Sequence, residues 1–179
     1  MLWDGLGEYE KAEGFKLAAL EGRRRVLGEE HKDTLDSLSN MGVVLLYLKD
    51  YEGALDYNQQ ALRARERVLG KTHPSTLMTA MSMACMYMEG MNHFTNAEEM
   101  LTLALDGDEM SLGMDHDETR KCAFNLARLY AITNSTEKRI ELLKRHPHLL
   151  SLLRGGAEIM RGPHPPLMTT TIYLKETKK

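Results

Sequence analysis

Apolar residues along the first 145 positions recur every three or four residues. Tyr51, Ala54, Leu55, Ala61, Leu62, Val68 and Leu69 fall on one stripe, and Leu35, Leu38, Met41, Gly42 and Leu45 on another. That spacing marks amphipathic helices rather than the strict alternation of half-buried strands. It predicts seven helices, over 6–27, 33–48, 51–69, 75–89, 94–111, 117–131 and 136–146. All five prolines lie at Pro74 or beyond and four of them follow residue 146, so the two parts of the chain differ in kind. A helical array over 1–146 and an irregular tail over 147–179 are expected. The tail would hold a short Leu-rich turn at Leu149–Leu153, a break at Gly162–Pro166, an extended run over Leu167–Leu174 and a basic end, Lys175–Lys179.

The helices repeat. Val26-Leu27-Gly28-x-x-His31-x-x-Thr34 returns as Val68-Leu69-Gly70-x-x-His73-x-x-Thr76 and as Ser111-Leu112-Gly113-x-x-His116-x-x-Thr119, at spacings of 42 and then 43 residues. Tyr9-x-x-Ala12, Tyr51-x-x-Ala54 and Phe94-x-x-Ala97 keep the same offsets, with His93 as the apparent single insertion. Small residues hold fixed places: Gly42, Ala84 and Ala127 in the first helix of each pair, Ala54/Ala61 and Ala97/Ala104 in the second. A small side chain at a helix crossing lets backbones approach, so each unit reads as a tight antiparallel pair. One pair cannot bury its stripe alone, and stacking against neighbours completes the core. Gly28, Gly70 and Gly113 are expected as helix-ending glycines in the left-handed conformation. Asp33 or Thr34, and Ser75, are expected as N-caps, with Pro74 just outside the helix.

On Tyr9-Glu-Lys-Ala-Glu, Ala61-Leu-Arg-Ala-Arg-Glu-Arg-Val-Leu-Gly-Lys-Thr-His-Pro-Ser-Thr and Asn125-Leu-Ala-x-x-Tyr130, residues 2–145 resemble the tetratricopeptide repeat in its long, kinesin-light-chain form. The resemblance implies an all-α fold, a right-handed superhelical solenoid, and a protein–protein interaction module that holds a peptide on the concave face of its first helices. Register from Gly42, Ala84 and Ala127 then assigns the binding face. It comprises Asp36, Ser39, Val43, Leu46 and Tyr47, then Met78, Met81, Cys85, Met88 and Glu89, and finally Lys121, Phe124, Arg128 and Ile132. Where the light-chain form carries an Asn-Asn pair, this chain has Ser39-Asn40, Met81-Ser82 and Phe124-Asn125. The face is Met-rich, adaptable to several apolar anchors, and basic at one end. An amphipathic peptide with an acidic flank beside Lys121 and Arg128 is the expected ligand. The alternative is a structural subunit of a larger assembly, self-associating or stacking through open solenoid ends. Residues 1–8 read as the tail of a first helix. At the other end, Arg139 and His146 replace the paired alanines of a last second helix, which Pro147 stops early.

Charge and composition narrow the field. A net charge of −3 and pI near 6.2 offer no general attraction to nucleic acid or acidic membranes. No run of 18 apolar residues is present, and Met1-Leu2-Trp3-Asp4-Gly5, with neither a basic nor an apolar stretch, is not expected to act as a signal peptide. Two cysteines without motif spacing, Cys85 and Cys122, fit a reducing compartment, and the cytoplasm is the expected location.

Little chemistry survives inspection, and neither catalysis nor a cofactor is expected. Equivalent histidines of stacked repeats, His31, His73 and His116, would sit about 10 Å apart, too far for one metal whose ligands lie at about 2 Å. A structural role is expected for them, bonding loop carbonyls between helices. The acidic runs Asp106-Gly-Asp108-Glu109 and Asp115-His-Asp117-Glu118 read as loops but lack calcium-loop spacing. Arg23-Arg24-Arg25 complements a helix C-terminus and brings no stacking aromatics for nucleic acid.

Overall fold

A computed structural model describes residues 3–150, with side chains from residue 9 onward. Its helices are α1 (Trp3–Leu27), α2 (Lys32–Tyr47), α3 (Tyr51–Leu69), α4 (Pro74–Glu89), α5 (Phe94–Leu112), α6 (Asp117–Ile132) and α7 (Thr136–Arg145). These match the expected helices to within a residue or so, apart from an earlier start of α1. Each packs chiefly on its neighbours in sequence, the nearest-neighbour order of a solenoid. The expected tail beyond Leu150 lies outside the described residues.

Two buried clusters form the core. Leu20, Leu35, Leu38, Met41, Ala61 and Ala64 close the first junction, and a longer cluster runs from Leu45 to Leu149. The small residues act as the pattern requires, with Ala54, Ala61, Ala84, Ala97, Ala104 and Ala127 fully buried at helix crossings. At Gly42 a β-carbon would lie 1.9 Å from the Asn58 side-chain nitrogen and 3.2 Å from the Ala54 carbonyl oxygen, so the backbones meet more closely there than alanine permits. Met83 and Met86 are core filler.

The Gly-x-x-His-x-x-Thr unit is a complete device for joining repeats, and its details correct the expectation. The caps are His31, His73 and His116, whose Nδ1 atoms accept backbone N–H bonds from Asp33, Ser75 and Glu118 at 3.2, 3.1 and 3.2 Å. The imidazoles therefore satisfy helix N-termini rather than loop carbonyls, and Asp33, Thr34 and Ser75 lie inside the helices they were expected to open. Pro74 is the first residue of α4, where its missing N–H costs nothing. Gly70 and Gly113 have φ of 93° and 87° with ψ of 163° and 166°. This is the extended region that only glycine enters readily, not the left-handed helical one. The hydroxyls of Thr34, Thr76 and Thr119 then donate to the carbonyls of Gly28, Gly70 and Gly113 at 2.8, 2.9 and 2.7 Å.

The turns inside each pair repeat as well. Lys49, Asn92 and Asn134 take positive φ, and the next residue's N–H bonds back to Leu45, Tyr87 and Tyr130 respectively. His93 therefore stands in register with Asp50 and Ser135. The extra residue lies upstream of it, between Tyr87 and Asn92, where Gly90 lets the chain pass against the Tyr51 ring.

Candidate functional site

The helices α2, α4 and α6 carry the residues expected on the inner face. Val43 and Tyr47 on α2 are exposed, as are Met78 on α4 (57%) and Ile132 on α6. Tyr47 is braced by Tyr9, whose ring stacks on it at a centroid distance of 4.6 Å. Asp36, Ser39, Leu46, Met81 and Cys85 are partly buried, and Glu89 is exposed. Met88, Lys121, Phe124 and Arg128 are buried, Lys121 to 1% and Arg128 to 3% exposure. The Lys121 ammonium bonds to Glu118 in its own helix. Burial lowers the Arg128 pKa against the opposing effect of Glu89. Burial pushes the Cys85 thiol up to about 12, so it is not a nucleophile near neutrality.

Two cavities open between successive repeats at the same register. The first, about 200 Å³, is lined by Glu30, Lys32, Leu35, Asp36, Arg65, Val68, Leu69, His73 and Ser75. The second, about 240 Å³, is lined by Pro74, Ser75, Leu77, Met78, Met81, Asp108, Leu112, Glu118 and Cys122. Lys32, Leu35, Asp36, Arg65, Leu69 and Ser75 of the first answer to Pro74, Leu77, Met78, Asp108, Leu112 and Glu118 of the second.

The deepest polar group differs in sign. Arg65 reaches from α3 between α2 and α4 and donates to Asp36 Oδ1 at 2.7 Å, Ser39 Oγ at 2.7 Å and Thr79 Oγ1 at 2.5 Å. A guanidinium with three partners in a fixed fork is well placed to tolerate burial. It is also what joins the predicted Asp36 and Ser39. One repeat on, Asp108 stands in the Arg65 position and accepts a bond from Cys122 Sγ at 3.3 Å. One repeat earlier, Arg23 donates to Ser37 in the same geometry. Each of these three contacts spans fourteen residues.

Asp108 is buried to 5% exposure, and no cation among the described residues lies within ion-pair distance of it. Burial raises its pKa, Cys122 lowers it by hydrogen bonding, Glu118 raises it, and His116 and Lys121 lower it from a distance. Burial and then Asp108 itself drive the Cys122 thiol upward. The acidic run around Asp108 is helical, contrary to the loop expected there. Glu109 bonds to Arg145 and His146, the latter at 2.8 Å, and ties α7 to α5. Neither Arg65 nor Asp108 was among the expected site residues. The signal for both was present in the 42- and 43-residue register, which aligns Arg23, Arg65 and Asp108.

Among the described residues no group of His, Cys, Asp or Glu is arranged to hold a metal ion, and no helix is long and apolar enough to cross a membrane. Stacked helix pairs, each packed chiefly on its neighbours in sequence, define a helical repeat solenoid. A model of the tetratricopeptide repeat family matches residues 4–67 and 37–110, more than half of the sequence, and the chain belongs to that family. The fold is shared with BtubC (BKLC) from P. vanneervenii, at a TM-score of 0.72 and 20% identity over 94% of this chain and 65% of that one. It is shared also with a Podosopora anserina putative kinesin light chain of nearly identical TPR-like repeats, at a TM-score of 0.71 and 20% identity, over 89% of this chain and 72% of that one. A second structure of the same protein gives a TM-score of 0.71 at 21% identity. This chain thus spans about two thirds of BtubC, and at such identities the likeness concerns the fold. No curated protein matches the chain significantly.

Proposed function

We propose that this chain is a non-catalytic docking module that holds an extended segment of a partner protein along the inner face of α2, α4 and α6. The observation that carries this reading is the pair of equivalent cavities set one repeat apart, the second of them lined by the exposed Met78. Neighbouring helices stand about 10 Å apart, and an extended segment in the polyproline II conformation advances about 3.1 Å per residue with three residues per turn, so side chains three positions apart point the same way and would meet the two cavities. Apolar anchors carry most of the affinity in such a groove, and Met78 and Met81 suit side chains of varied shape. The acidic flank expected beside Lys121 and Arg128 has less weight than these anchors. Both cations are buried, and Lys121 is already bonded to Glu118. The array is read as 1–146, the tail as 147–179, and the location as cytoplasmic.

The test is selection of binders from a displayed random peptide library on the intact chain, repeated on Met78→Arg. Expected are peptides with recurring side chains three positions apart, at least one of them apolar, that the variant no longer retains. Peptides retained equally by both forms would place binding elsewhere. A chain that selects nothing and runs as a dimer in light scattering would favour the structural-subunit alternative.

A further inference from the structure

The cavity between α4, α5 and α6 combines apolar walls with a buried carboxylate at its base. Leu77, Met78, Met81 and Leu112 supply the walls, and Asp108 and Glu118 the charge. Glu118 is bonded to Lys121 within α6, and its side chain is partly exposed. Among the described residues Asp108 has no cation within ion-pair distance, and the hydrogen bond it accepts there comes from a thiol, a weak donor. Arg145 at the end of α7 is engaged with Glu109 and Asp106, and His146 just beyond it with Glu109. Holding a carboxylate out of water without a cation is costly, and the corresponding residue one repeat earlier is satisfied three times over. The arrangement lacks one component, a cation on an apolar stem.

Resting on the groove reading above, we propose that this cavity receives a cationic side chain of the bound polypeptide, its stem against Met78 and Met81 and its charged head on Asp108. Arginine fits better than lysine, because a planar fork can bond Asp108 and reach toward Glu118 at once. The Arg65 cavity, whose deepest group is already a saturated cation, would then take an uncharged side chain. The two cavities would read a polar sequence direction as well as apolar content.

The probe is N-acetyl-argininamide, titrated into the intact chain and followed by backbone amide shifts in residues 75–82 and 108–122. N-acetyl-norleucinamide supplies the same stem without the charge. A ligand of this size in a partly open site should bind the wild type with a dissociation constant on the order of 1 mM. Asp108→Asn should weaken it about tenfold, the usual loss for one charge-assisted bond, and Glu118→Gln by less. The norleucine probe should bind equally weakly to both proteins. Equal affinity of the two probes for the wild type, or an unchanged titration in Asp108→Asn, would overturn the proposal. The groove reading fails separately. Library peptides bound without any basic preference would sink this assignment alone, whereas an argininamide response with no selectable peptide would sink the groove and leave the cavity.

Discussion

At the α3–α4 junction the side chain that reaches between repeats is Arg65; one repeat later, at the α5–α6 junction, it is Asp108. The backbone plan around them is the same, down to the histidine cap and the threonine bond to the preceding glycine. Arg65 is surrounded by Asp36, Ser39 and Thr79, and its fork is filled. Asp108 has Cys122 in the place of Thr79, with Met78 and Met81 in the places of Asp36 and Ser39. The first junction therefore holds itself together by polar bonds, and the second keeps a charge that no described residue neutralises by contact. Two junctions on one backbone plan thus differ in their polar contacts through four side chains, because the scaffold that positions them is carried by other residues.

The contrast can be broken from either side. The largest effect is expected for Arg65→Met, which removes three hydrogen bonds and leaves Thr79 buried without its donor. A loss of about 2–3 kcal/mol in chemical denaturation is expected, less than for a fully buried ion pair because Asp36 is half exposed and can rehydrate. A loss below about 0.5 kcal/mol would show that the joint does not depend on Arg65.

Next comes the element the two junctions share. His73→Ala and His116→Ala each delete an N-cap and should each cost about 1 kcal/mol, largely restored by Asn, which caps by the same acceptor geometry. Unequal costs would mean that the junctions differ in backbone as well as in side chains.

A smaller effect of opposite sign is expected for Asp108→Asn. Burial raises the folded-state pKa of Asp108, so the folded chain holds this proton more tightly than the unfolded chain does. Stability contributed by the protonated acid is present at low pH. It falls as pH climbs from the ordinary carboxylate range through the raised value, and stays lower at neutrality. Asn should remove that decline and leave the protein slightly more stable at pH 7 than the wild type, as measured by thermal melts across the acid range. A neutral-pH loss would show that Asp108 is a structural acceptor rather than a strained one.

The smallest change is expected for Gly107→Ala, which puts into α5 the residue that α3 has at Ala64. Its β-carbon would come within 2.5 Å of a Leu77 methyl, the movable end of a side chain lining the acidic cavity. Helix propensity gains about 1 kcal/mol and the displaced leucine costs a similar amount, so net stability should hardly move. The argininamide titration should nevertheless weaken as Leu77 is pushed into the cavity. An unchanged titration would mean that the walls yield elsewhere.

Much of this molecule was legible in its residues before any coordinates. Helical period, small residues at crossings and the 42- and 43-residue register determined the helices and their pairing, since each depends on local spacing that an α-helix turns directly into a face. The residues expected on the inner face were assigned by the same register, and they lie on α2, α4 and α6. Local chemistry was harder to read. Ser75 looked like a cap, yet an imidazole two residues earlier reaches its N–H, and only the backbone angles at His73 decide between the two. Asp108 looked like part of an acidic loop, because a run of Asp and Glu around a glycine scores as polar and flexible when its neighbours are unknown. Tertiary structure alone decided that the position faces inward between α4 and α6, that Arg65 there is saturated while Asp108 is not, and that Lys121 and Arg128 are withdrawn from the surface. Periodicity says which way a side chain points; its partners come from other helices tens of residues away, and those partners set the energy of a buried charge.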